Sequence, residues 1–190
     1  MHNIEPFYNW SEYYSAAEDP KSPFYEREYS EFEFTNTIYN YYIHPQWDAF
    51  GSKTMYMKIL FADYEQGFAI FEFIGEWNDA IGNDIMFLKR EVVDMLIEEG
   101  ISKFILIGEN VLNFHSSDDS YYEEWWEDVK DSDGWIAALN FREHVEREMK
   151  QVHLDHFIIS RDELYDVPWR RFAPQHLFDF VQNSIGRRLK

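Results

Sequence analysis

Cysteine is absent from all 190 residues. That excludes a disulfide framework, a thiolate nucleophile and every cysteine-ligated zinc or iron–sulfur centre. No apolar run approaches the ~20 residues that cross a bilayer. The opening MHNIEPFYNW has neither the basic nor the apolar stretch of a signal peptide, so a cytoplasmic location is expected. Cations are scarce, with 17 Lys and Arg against 36 Asp and Glu and a formal net charge of −19. Binding to nucleic acid draws on cations that displace counterions from phosphate, and an anionic membrane repels an acidic surface, so neither is an expected partner. Phosphate loops, dinucleotide-binding glycine motifs and Gly-x-Ser-x-Gly elbows are missing too. The sequence therefore carries no recognisable catalytic centre and implies no cofactor.

What the chain does have is aromatic mass: 7 Trp, 13 Tyr and 17 Phe. Such side chains bury large areas and support a core without disulfides or metal. The length fits one domain with some decoration. Charge is unevenly spread, because residues 1–150 carry 31 acids and 11 bases while residues 151–190 carry 5 acids and 6 bases. The basic end, closing on GRRLK, reads either as a last helix folded against an acidic body or as a tail that docks an acidic partner.

Residues 1–50 read as a mostly helical, aromatic-rich N-terminal arm packed on the domain. Residues 51–190 form the α/β domain with a C-terminal helical extension. Within it, Lys53–Tyr64 and Gly67–Ile74 are two strands joined by a turn. Asp84–Glu99 is an amphipathic helix with Ile85, Leu88, Val92, Met95 and Leu96 on one face, ended by Gly100. Lys103–Gly108 and Gly134–Leu139 are short, continuously apolar runs, as strands covered on both faces should be, and are expected at the sheet centre. Tyr121–Lys130 and Arg142–Gln151 are helices, His156–Ile159 is a final strand, and Gln175–Ser184 is the closing helix. This order implies a mixed, largely parallel sheet with covering helices.

Three places in residues 67–159 match a known pattern. Gly75-Glu76 follows the second strand as a Gly-Glu-Leu-Asp turn does. Ile107–Asp118 (IGENVLNFHSSD) is similar to a strand and loop ending in Asp-Ser-Ser-Gly, with His115 in place of that Asp and Asp118 in place of that Gly. Gly134–Ile159 is similar to a closing strand–helix–strand, with Gly134, Asn140, Val145, Met149, Leu154 and Asp155 at matching spacings. Together these resemble the STAS domain of bacterial anti-sigma-factor antagonists and of sulfate transporters' cytoplasmic parts. The resemblance implies a STAS-like fold and a regulatory or scaffolding role. Its partner would be a protein, such as a regulatory kinase or an anti-sigma-like factor. It also places Ser116 where those antagonists carry a phosphorylated serine.

The loop His115, Ser116, Ser117, Asp118 and Asp119 follows a strand and precedes a helix, the position where open α/β sheets bind ligands. Two readings stay open. Ser116 is a phosphorylation switch, or Ser117 or Ser120 caps the helix, with Ser120 and Glu123 as a capping box. Tyr121, Tyr122, Trp125 and Trp126 cannot all face inward on one helix, and with the loop they form the expected partner surface. The alternative from another class is an enzyme or small-ligand pocket at the strand ends, built from Asn78, Asp79, Asn110 and His115. Asp84 is expected to cap its helix. No metal site is expected. Asp131-Ser132-Asp133-Gly134 lacks the first and last ligands of a calcium loop. His153 and Asp155, with His176 as a third ligand, have a metal-triad spacing, but His153, Asp155 and His156 read as strand-edge residues.

Overall fold

A computed structural model describes residues 3–186. Arg187, Arg188 and Lys190 of the basic end lie outside the described residues. A four-stranded sheet organises the molecule: β3 (Met55–Asp63), β4 (Phe68–Asn78), β5 (Lys103–His115) and β6 (Trp135–Leu139), in that spatial order. β3 pairs antiparallel with β4, while β4–β5 and β5–β6 are parallel. This is the expected α/β arrangement of a mixed, largely parallel sheet with helices, including a C-terminal one.

Both sheet faces are covered. On one face Ile85, Leu88, Val92 and Leu96 meet Tyr122, Trp125, Val145 and Met149 in one core. These come from α2 (Asp84–Leu88), the π-helical turn that follows it, α3 (Asp94–Glu98), α4 (Ser120–Lys130) and α5 (Glu143–Gln151). On the other face Leu177, Phe178 and Val181 of α6 (Pro174–Gly186) pack with Trp169, Leu164 and Trp10. The short α1 (Asp79–Gly82) links β4 to α2. A π-helical turn, Lys89–Val93, joins α2 to α3 in one continuous helix. The turn's extra residue shifts the inward face, so Val93 is buried and Met95, expected inside, is 44% exposed. Gly100, at φ 98°, ends the helix as expected.

Four expectations are corrected. β5 continues well past Gly108 to His115, because β4 also runs on and pairs with it as far as Asn78. β6 is the outer strand of the ladder; it is buried because the chain at Ile159 bridges to Ala137 and covers its edge. His156–Ile159 is not a strand, and a 3-10 turn, Leu154–His156, occupies its start. The described part of residues 1–50 is not helical. It is a series of turns with one small hairpin, β1 (Thr37–Ile38) and β2 (Tyr41–Tyr42). The physical reason is where its side chains go. Phe7 and Trp10 reach one face of the sheet and Ala16 and Phe24 the other, a distribution that no single helix can make.

Candidate functional site

The carboxyl ends of the parallel strands β4 and β5 converge where Asn78 pairs with His115. Below this point lies a buried polar network. Asp79, 3% exposed, accepts hydrogen bonds from the Tyr122 hydroxyl (2.5 Å), the Trp77 indole (3.1 Å) and the Ile85 amide (2.8 Å). Burial pushes its carboxyl up to about 6, and those donors pull the other way. Trp77 stacks on Tyr122 at 6.3 Å. The start of α4 is thus clamped to the end of β4. Asp84, fully buried, ties the same corner by accepting from the Asn78 amide at 2.7 Å and the Thr54 hydroxyl at 3.3 Å. The expectation that it caps its helix is corrected: α2 begins at Asp84 and has Asn83 at its cap position, without a side-chain cap bond.

Above this platform the loop is polar and open. His115, Ser117, Asp118 and Asp119 are exposed, and Ser116 is half-buried. Neither Ser117 nor Ser120 is the cap of α4. Asp119 holds that position by backbone alone, and the Asp118 carboxylate instead accepts the Ser120 amide (3.1 Å) and hydroxyl. Those bonds hold the Asp118 carboxyl below its usual range. No cation approaches Ser116 along its own strand. Lys103 begins β5, about 40 Å of extended chain away, and Arg142 donates to the Glu109 carbonyl at 3.2 Å.

The four aromatics of α4 divide. Tyr122 and Trp125 are 1% and 0% exposed; they are core and unavailable to a partner, because that side of α4 lies on the sheet. Tyr121 and Trp126 are half-buried at the rim. Trp126 donates its indole N–H to the His156 carbonyl at 3.0 Å, and the Arg90 guanidinium lies over Tyr121. The run of acids on α4 is only partly solvated. Glu124 and Asp128, with Asp94, surround the fully buried Lys89 of the π turn.

Of the residues of the alternative pocket, Asn78 and His115 lie side by side at the paired strand ends. Asp79 is buried and engaged by three donors, and Asn110 pairs with Ile74, five residues up the strand from His115, about 16 Å away. A sizeable cleft lies elsewhere. It holds about 790 Å³ between the arm and the outer strand β3, and Tyr14, Arg27, Tyr29, Lys58 and Ile59 line it. Beside it the buried Asp48 accepts the Tyr29 hydroxyl (2.6 Å) and forms ion pairs with Lys58 (3.1 Å) and Arg27 (3.4 Å). Nothing in the sequence pattern of the arm signals this cleft, because its residues come from four separated stretches.

Among the described residues no helix is long and apolar enough to cross a membrane. No protein-family model matches the chain, and no curated protein matches it. Solved structures do show a likeness of fold. One is the anti-sigma factor antagonist SpoIIAA in its unphosphorylated form, at 10% identity over 67% of this chain and 96% of that chain, with a TM-score of 0.48. Another is the Bacillus cell fate determinant SpoIIAA in the phosphorylated form, at 10% identity over 66% and 98% with a TM-score of 0.43. At this identity the likeness assigns no role to any residue.

Proposed function

We propose that the protein is a regulatory or scaffolding module that binds another protein through the His115–Asp119 loop and the adjoining rim of α4. One observation carries the reading. An exposed polar loop hangs from two paired strand ends and rests on a rigid buried clamp, Trp77–Asp79–Tyr122. Loops held by such scaffolds are the usual carriers of recognition. The partner surface is narrower than four aromatics, comprising His115, Ser116, Ser117, Asp118 and Asp119 with Tyr121 and Trp126. Ser116 is the switch position. A phosphate there adds about −1.5 to −2 charges beside Asp118 and Asp119, in a chain already at −19. It therefore releases a partner whose surface is neutral or acidic.

The test is the affinity of a partner captured from the source cell for wild type, Ser116→Ala, Ser116→Asp and Trp126→Ala. Binding should be kept by Ser116→Ala and weakened about tenfold or more, some 1.4 kcal/mol, by the other two. Equal affinities for all four proteins would remove both the switch and the surface.

A further inference from the structure

The chain between α5 and Ile159 turns back through His153–His156, and the turn is held from several sides. The His153 amide donates to the Lys150 carbonyl (3.1 Å), the His156 amide to the His153 carbonyl (3.1 Å) and the Ile158 amide to the Leu154 carbonyl (2.8 Å). Leu154 is buried in the core beneath, 2% exposed. From α4, Trp126 donates to the His156 carbonyl. His153 adopts a left-handed backbone, φ 63°. The two imidazoles stack at 5.6 Å with planes 17° apart. A ring nitrogen of each and a carboxylate oxygen of Asp155 all lie within 4.8 Å of one another, and all three residues are exposed.

We propose that His153, Asp155 and His156 form a surface site for one divalent transition metal ion of the zinc class. Two imidazoles and one carboxylate suit zinc, nickel or copper, whereas calcium and magnesium take oxygen ligands. Zinc bonds of 2.0–2.2 Å put tetrahedral ligand atoms roughly 3.3–3.6 Å apart. Each side chain therefore closes by about an ångström, a rotamer adjustment open to exposed groups on a fixed backbone. Three protein ligands leave the fourth position to water or to a side chain from another molecule. His176, which the sequence offers as a third ligand, is on α6 across the sheet and takes no part. The three ligands are exposed, and the site is independent of the Ser116 reading.

Tag-free protein titrated with Co²⁺ should bind one ion per chain, with tetrahedral d–d absorption that Zn²⁺ abolishes. His153→Asn, which keeps a residue tolerant of positive φ, and His156→Gln should each weaken binding by about tenfold or more, since even second-layer partners of a metal ligand are worth that much. His176→Gln should bind as wild type does. A measurement that needs no variant is the broadening of histidine ring resonances by substoichiometric Cu²⁺, which should reach His153 and His156 first. Identical titrations by wild type and the His153→Asn/His156→Gln double variant, or first broadening at His44, His115, His144 or His176, would overturn the site.

Discussion

Glu72 sits in the middle of β4 with no exposed surface. Its carboxylate accepts the Phe7 amide at 2.8 Å and faces Arg170 at 3.4 Å, while Arg170 also pairs with Glu109. Burial pushes the Glu72 carboxyl up to about 7, against the opposing pull of Phe7 and Arg170. The folded protein therefore holds the Glu72 proton more tightly than the unfolded chain does. In that window the native state binds more protons, so stability is complete below about pH 4.5 and is lost as pH rises towards 7. Asp79, pushed up to about 6, acts in the same direction. Glu72→Gln should remove much of this slope and stabilise the protein at pH 7.5 relative to wild type, by at most on the order of 3 kcal/mol. Urea unfolding of both proteins at pH 5 and pH 7.5 is the check; parallel pH dependences would mean that Glu72 ionises normally in the fold. In the sequence Glu72 is visible only as an acid interrupting an apolar strand. Its partners are 65 and 98 residues away, too far for any local pattern to reveal.

At the scale of elements, Gly75 illustrates a motif residue with a structural job. It lies where β4 changes register against β5, between Gly75 and Glu76, and has φ 119°. A Cβ there would fall on the Thr54 carbonyl oxygen. Neither the backbone angle nor the space admits a side chain. Gly75→Ala should cost roughly 2–3 kcal/mol or more, read as a fall in the urea midpoint with an unchanged m-value. A loss under about 0.5 kcal/mol would show that the bend relaxes freely. The apolar helices and strands were legible from periodicity, since a 3.6-residue or continuous apolar pattern reports local burial. The far half of β5 was not, because Glu109, Asn110 and Asn113 look like a loop. They are strand residues because β4 continues beside them, and polar partners receive them: Trp169 donates to Glu109 at 3.3 Å and Asn113 to Glu76 at 2.9 Å.

At the scale of the whole molecule, residues 3–50 wrap the β3 edge and deliver Trp10, Ala16, Phe24 and Ile43 to three separate apolar clusters. Trp10, Phe7 and Trp169 pack edge to face, and the Trp10 indole donates to the Phe172 carbonyl at 2.9 Å. Deleting residues 1–44 removes Trp10, Phe24 and Ile43 from these clusters, each worth roughly 1.5–3 kcal/mol when buried. It also takes Arg27 and Tyr29 from the buried Asp48. The truncated protein should melt lower by several degrees or more and associate in solution. A monomer that melts unchanged, by circular dichroism and light scattering, would show the arm to be dispensable. By itself the sequence determined composition-level properties and local periodicity: an acidic, cysteine-free α/β chain, its principal helices, and the loop after β5. Those follow from neighbours within a few residues. Only the tertiary structure decided which aromatics of α4 are core, that β6 is an outer strand, that Asp79 is buried against Tyr122, and that His153, Asp155 and His156 meet on one turn. The first three depend on contacts between residues distant in the chain; the last depends on a local turn whose shape is held by the burial of Leu154 and by Trp126 from α4, and the free energy of burial is settled only when such partners come together.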